Sequence, residues 1–502
     1  MHHHKVRVCP STVAIPEAEQ LAGKLAALVT EDVPVQAEVA EMVANRVIDN
    51  AAVGLAAINR LPVRHGRAQA LAHPREGGAC LLGIENTRRF DAEWAAWANG
   101  TAVRELDMHD TFLAADYAHP GDNIPPIVAV AQQCGCSGAA LVRGIVAAYE
   151  VHVALVKGIC LHKHKKDHIA HLCPAQAAGI GAMLRLPTST VYQAIQQAVH
   201  VSFSTRQSRK GEISSWKAYA PAHAAKLAVE AVDRAMRGEC SPSPIYEGED
   251  SVLATMLDGA DAEYTVPLPD VGEPRRAILE TYTKQHSAEY QAQALIDLAF
   301  RMGKRIANWD DVQRVTIHTS RHTHNVIGTG SGDPQKLDPQ ASRETLDHSI
   351  MYIFAVALED GRWHHIDSYL PERASRPDTV RLWKSIETVE DPLWTERYHT
   401  SDPAKKAFGG RVVIALKGGA TCEDELAVAH AHCCGQRPFG RAEYLEKLDT
   451  LSAGLVQLEE RKRFVDLCER LPDLSAPDVR QLNVQLDKQL VLGAERNSEG
   501  IF

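Results

Sequence analysis

The chain has 502 residues, 45% of them hydrophobic and 24% charged, with a formal net charge of -10. That is the composition of a folded globular protein of roughly two to four domains, and it excludes disordered, collagen-like and coiled-coil chains. The balance of 54 Lys+Arg against 64 Asp+Glu argues against a dedicated nucleic-acid binder, which normally shows a basic face.

From Glu17 to Asn59 the apolar residues fall three and four apart (Leu21, Leu25, Leu28, then Val39, Val43, Val47), which predicts helix. Pro62 to Pro74 reads as a loop, and Asn86 to Asn99 as a helix bearing alanine and tryptophan. Helices are predicted over Ile127–Cys160, Ala175–Leu186, Val191–Val201 and Ala222–Met236. They are rich in small residues, which lets helices approach closely. After Ser241-Pro242-Ser243-Pro244 the texture changes. Alternating β-rich runs appear at Gln313–Thr319 and Arg411–Leu416, with helical stretches at Ala288–Met302 and His348–Ala357 between them. Arg441 to Leu492 returns to helical periodicity. The expected fold is mainly α: a discontinuous all-α domain (1–274 and 431–502) interrupted by a smaller α+β domain (275–430).

No apolar run approaches the ~18 residues of a membrane-spanning helix. The nearest, Gly144 to Ile159, is broken by Glu150, His152 and Lys157. The N-terminus lacks the layout of a secretory signal, and Met1 to His4 is given no functional weight. The cytoplasm is the expected compartment, and neither membrane nor nucleic acid is an expected partner. The eleven cysteines are scattered and contain no C-x-x-C pair. Neither a disulfide framework nor a cysteine-ligated iron–sulfur cluster is expected from them, and most read as small buried hydrophobes.

Three segments could carry chemistry. Asp107-Met108-His109-Asp110-Thr111, followed by Asp116 to Asn123, packs titratable groups into a Gly/Pro-containing loop before a small-residue helix. A carboxylate beside a histidine orients it and keeps it basic, although a solvated polar loop would look similar. His162-Lys163-His164-Lys165-Lys166-Asp167-His168, with His171 beyond, would put His164, His168 and His171 on one helical face. The three lysines there favour an anion over a metal, and a basic surface is the plainer reading. Arg206-Gln207-Ser208-Arg209-Lys210-Gly211, leading to Ser214-Ser215-Trp216-Lys217, is a basic loop before a helix, the makings of a carboxylate cradle. No Walker or dinucleotide pattern accompanies it. Together the residues predict an acid/base site for a small anion.

These segments, in this order, resemble the MmgE/PrpD family, and within it the 2-methylcitrate dehydratase branch. The matching stretches are Asp107 to Pro126, Asp167-His168-Ile169-Ala170, Ser214 to Lys217, Ala288 to Ala294, Asp347 to Tyr352 before Glu359-Asp360-Gly361, and Tyr398 through Lys406. The resemblance runs from about residue 20 to about residue 450. It implies a dimer with its active site between the two domains. It also implies removal of water from 2-methylcitrate to give 2-methyl-cis-aconitate, the methylcitrate-cycle step of propionate breakdown, with neither metal nor other cofactor. Residue by residue, it carries the family site onto Asp107, Thr111, His119, His168, Lys217 with Lys210 as its rival, and Tyr352. Lys284 and His286 fall where many relatives have a lysine and then a histidine, while Gln291 stands where a histidine is common. In the resulting scheme His119 and His168 are acid and base, and Asp107 orients them. Lys217, Lys210 and Arg206 bind carboxylates, and Thr111, Tyr352, Lys284 and His286 complete the substrate site. The alternatives are a cis-aconitate decarboxylase or another lyase of the family, a non-catalytic helical anion sensor, and, on the His-Lys run alone, a zinc-dependent hydrolase.

Overall fold

The computed structural model describes residues 1–209 (Arg209 by its backbone only), 213–400, 402, 404–493 and 500–501, and its fold is mainly α. Strand β1 (His2–Arg7) pairs antiparallel with β2 (Glu263–Leu268), so the extreme N-terminus is part of the fold. Alternation buries His4 and Val6 on its inner face. Helices α1 (Leu21–Thr30) and α2 (Ala37–Ala56) follow the apolar spacing of the sequence.

Three local expectations are corrected. The stretch after Pro62 is not a loop, because α3 covers Leu61–Leu71 with Pro62 in its first turn. A proline there sacrifices no helical hydrogen bond. Helix α4 (Ala92–Glu105) starts later than the sequence suggests; Phe90 instead bridges to Pro74 and Ala79. The long apolar run after Ile127 is two helices, α5 (Ile124–Cys134) and α6 (Gly138–Gly158). Gly135 closes α5 in the left-handed conformation at φ 67°, and Ser137 caps α6 through a bond from Ala140 N.

Helix α6 is apolar and long enough to cross a membrane, but 83% of its apolar window is buried inside the protein. It packs on α7 (Ile169–Met183). A Cβ added at Gly179 would stand 2.7 Å from the Gly144 carbonyl oxygen, so the two backbones meet where only glycine fits. With α8 (Thr188–Ser202) and α9 (Trp216–Met236), these helices pack the first core, and α6, α7 and α8 turn their other faces to a further apolar cluster with α1.

The second core lies around helix α10 (Tyr290–Gly303) and a four-stranded sheet of β3 (Val312–Thr319), β4 (Ile386–Glu390), β5 (Gly410–Leu416) and β6 (Thr421–Leu426). The strand order is β4-β3-β5-β6, with β3 and β4 parallel and the other pairs antiparallel. Helix α11 (Ile350–Asp360) is apolar nearly all round and buried through this core, against Trp383. The chain then returns to the first core through α12 (Arg441–Leu451) and α13 (Leu458–Glu469), whose Tyr444, Leu448 and Phe464 join Val39 and Val43. Beyond α13 the predicted helical tail is mostly irregular. There Asn483 donates its amide to the carbonyls of Leu81 and Ile84.

Candidate active site

The segment between α4 and α5 is anchored by a buried carboxylate. Asp110 accepts from Gly121 N at 2.5 Å and from the Tyr149 hydroxyl at 2.8 Å, with Arg46 Nε at 3.3 Å. Thr111 exchanges both backbone hydrogen bonds with Tyr282, and its Oγ1 donates to Ala118 O at 2.8 Å. These bonds pin a loop whose functional groups, Asp107 and His119, face inward.

Asp107 is the centre of the site. It lies just past the end of α4, has φ +50°, and is 1% exposed. A left-handed non-glycine residue at a buried polar site is backbone strain held by its surroundings. Its carboxylate meets Arg104 Nη1 at 3.2 Å, Lys217 Nζ at 3.1 Å and Lys284 Nζ at 2.6 Å; Lys284 also donates to the Asp107 carbonyl at 3.0 Å. Lys217 further donates to both oxygens of Asp347 at 3.0 and 2.9 Å, and stands 3.4 Å from His348 Nδ1. Arg343 approaches Asp347 at 3.4 Å. Four cations thus surround two carboxylates. Burial alone would raise the Asp107 carboxyl, but Arg104, Lys284 and Lys217 hold it well below the usual carboxylate range. The backbone of the cluster is clamped from behind by buried Lys447 of α12, which donates to the carbonyls of Met108 and Lys284 at 2.7 and 2.8 Å and pairs with Asp49 at 2.6 Å.

His119 stands beside this cluster, with Nδ1 3.9 Å from Asp107 Oδ1 and 3.3 Å from Asp110 O. Burial, together with Arg104 and Lys284, drives its pKa well below the ordinary histidine value, so the ring is neutral and has an uncharged nitrogen to accept a proton. Its ring centroid is 5.4 Å from that of His168, whose Nδ1 is 3.1 Å from Asp167 Oδ1. His164 lies on a short separate turn (His162–His164), so His164, His168 and His171 do not share a helical face. His171 turns instead to the Ile159 carbonyl at 2.9 Å.

Arg104, Asp107, Tyr117, His119, Arg206, Glu289, Gln291, His322, Val326 and His348 enclose a chamber of about 40 Å³, room for about one water molecule. Through Arg206, Val326 and His348 it adjoins an outer cavity of about 950 Å³, lined also by Lys163, Lys165, Lys166 and Lys336. Arg206 Nε donates to the Tyr117 hydroxyl at 3.1 Å.

The structure therefore brings together Asp107, His119, His168, Lys217, Lys284 and Arg206. It places three other predicted residues elsewhere. Tyr352 is fully buried in the second core, donating to Ser368 O with its ring edge-on to Trp383, because its position on α11 points it into apolar packing. Thr111 spends its hydroxyl on the loop backbone, as above. His286 pairs with Asp297 at 3.0 Å and lines a different cavity with Trp363 and Lys447. Lys210 lies outside the described residues. The sequence reading missed Arg104, Asp347, His348, Glu289 and His322 as site residues. Only Asp347, His348 and Glu289 stood within stretches carrying the resemblance.

Asp107, Asp347 and His348 offer three ligand atoms within 4.8 Å of one another. The Lys217 ammonium sits among those atoms, so a metal ion there would have to displace it. His432, Cys433 and Cys434 form another donor group. Burial and the neighbouring Cys434 push the Cys433 thiol up to about 11, away from the thiolate that metal binding needs.

A buried histidine and carboxylate thus sit in a cluster of lysine and arginine, an arrangement suited to proton transfer beside an anion. The MmgE/PrpD N-terminal domain model matches residues 19–265, and the MmgE/PrpD C-terminal domain model matches residues 286–472. The chain belongs to the MmgE/PrpD family and is a lyase of its dehydratase kind. It is 28% identical to the mitochondrial 2-methylcitrate dehydratase of Yarrowia lipolytica over 68% of this chain and 66% of that one. It is 25% identical to the 2-methylcitrate dehydratase of Salmonella typhimurium over 76% and 79% of the two chains. An alkylcitrate dehydratase of Talaromyces stipitatus is 23% identical over 66% of this chain and 68% of its own.

Proposed function

We propose that this enzyme removes water from 2-methylcitrate to give 2-methyl-cis-aconitate by acid/base catalysis from its own side chains. The observation that carries the reading is buried His119 beside the Asp107 carboxylate and the three cations, Arg104, Lys217 and Lys284, that meet it. Abstracting a proton next to an ionised carboxylate builds enolate-like charge, and preorganised cations in a dry site offset such charge. His119 takes the proton from carbon. Arg104, Lys217 and Lys284 stabilise the charge that develops on the adjacent carboxylate. His168, oriented by Asp167, protonates the departing hydroxyl, which leaves as water.

The test is incubation with stereochemically defined 2-methylcitrate. A rise in absorbance of the conjugated product with loss of one water supports the reading. No turnover, or carbon dioxide released from cis-aconitate, overturns it in favour of a non-dehydratase.

The chamber also carries a pH dependence. Burial, opposed by Lys284, raises the Glu289 carboxyl to about 7. Below that pH Glu289 is neutral; above it, the group adds a negative charge beside the bound anion. KM is expected to rise above pH 7, by up to about tenfold per unit. In Glu289→Gln it should stay flat over the same range, as measured by steady-state kinetics from pH 6 to 8.5.

A further inference from the structure

The 40 Å³ chamber beside His119 is too small for a tricarboxylate, so most of any such substrate lies in the outer cavity that it adjoins. One group there stands apart from the surface lysines. Lys336, on the turn Pro334–Leu337, is 5% exposed. Its ammonium donates to the His348 carbonyl at 3.1 Å; the carboxylates acting on it, Asp333 of the same cavity and Asp347, stand beyond 4 Å, so among the described residues it has no direct ion pair. A buried ammonium is normally matched by an anion, because a neutral carbonyl only partly offsets the loss of water. Lys336 is held in place from both ends. Its own carbonyl accepts from Ser349 Oγ at 2.6 Å, and its ammonium binds the next residue back, His348, which lines both cavities.

We propose that Lys336 is the anchor of an outer subsite for the substrate carboxylate farthest from the reacting carbon. Arg206, shared by the two cavities, forms the neck between that subsite and the chamber. This rests on the dehydratase reading above, and it goes beyond that reading by assigning a site that selects three carboxylates over two. The bound carboxylate supplies the direct ion pair that Lys336 lacks, and the subsite contributes to binding rather than to the chemical step.

The test compares 2-methylcitrate with 2,3-dimethylmalate, which keeps the reacting C–H and hydroxyl but lacks the third carboxylate. Wild-type enzyme should favour 2-methylcitrate in kcat/KM by about ten- to a hundredfold, the worth of one charge-assisted hydrogen bond; equal values would overturn the subsite whether or not any variant folds. Lys336→Gln should raise KM for 2-methylcitrate by the same factor, with kcat within about threefold, and leave 2,3-dimethylmalate nearly unchanged. Lys336→Arg should recover most of the loss. An equal fall for both substrates would mean a structural role and sink the proposal. If the wild type turns over neither compound, the dehydratase reading fails by itself. Calorimetric titration with citrate then decides the subsite: binding that weakens at least tenfold in Lys336→Gln supports it, and equal or absent binding overturns it.

Discussion

Replacing Asp107 with asparagine is expected to cost the protein about 3–5 kcal/mol of stability, the range for breaking a buried charge network by removing one partner. The change keeps the shape of the side chain but leaves Arg104, Lys217 and Lys284, at 3.2, 3.1 and 2.6 Å, facing one another without their shared anion. The pH dependence follows from the direction of the shift. The carboxyl is held below its unfolded value near 3.8, so its contribution is complete above that pH and is lost only as the pH falls through the lower folded value. Wild type and Asp107→Asn should therefore differ by a constant amount in thermal unfolding from neutral pH down to about pH 4, and converge below. A gap that opens only above pH 6 would assign the effect to another group. Turnover should fall by about 10²–10³, because the lysines that meet the developing charge lose their alignment.

For His119→Ala, kcat on 2-methylcitrate should drop by about 10²–10⁴ with little change in KM, as for loss of a general base. On the proposed reading Lys217, Lys284 and Arg206 hold the substrate independently of the ring. His171→Gln is the matched control: it removes a buried histidine of the same segment of the bundle, bonded to the Ile159 carbonyl and not among the residues that line the chamber. Near-normal turnover in His119→Ala, or an equal loss in His171→Gln, would take the base role from His119.

Much of this site was legible because its loop is local. Asp107, His109, Asp110 and His119 stand within thirteen residues, and a density of titratable groups in a Gly/Pro turn is visible without a fold. Arg104 was invisible for the opposite reason. An arginine in the last turn of an alanine-rich helix reads as a solvated end that complements the helix dipole, and nothing local says that the chain will turn back on it. Tyr352 is the opposite case: the resemblance supplied a tyrosine, but the helix that carries it is apolar on nearly every side, so the structure buries the hydroxyl against Ser368 O. The proline misread as a loop, Pro62, shows that a residue's meaning depends on whether it falls in the first turn or the middle of a helix.

By itself the sequence determined the periodic elements, the small-residue helices, the β-rich insertion and the family. These depend on spacings of two to four residues and on the order of short motifs. Only the tertiary structure decided which charges share a chamber, because the decisive contacts span 130 residues for Lys217 with Asp347, 177 for Lys284 with Asp107, and 339 for Lys447 with Met108. A charged side chain is free to be solvated until packing excludes water from around it. Which charges are stranded together, and so become chemistry, is settled by how the helices close.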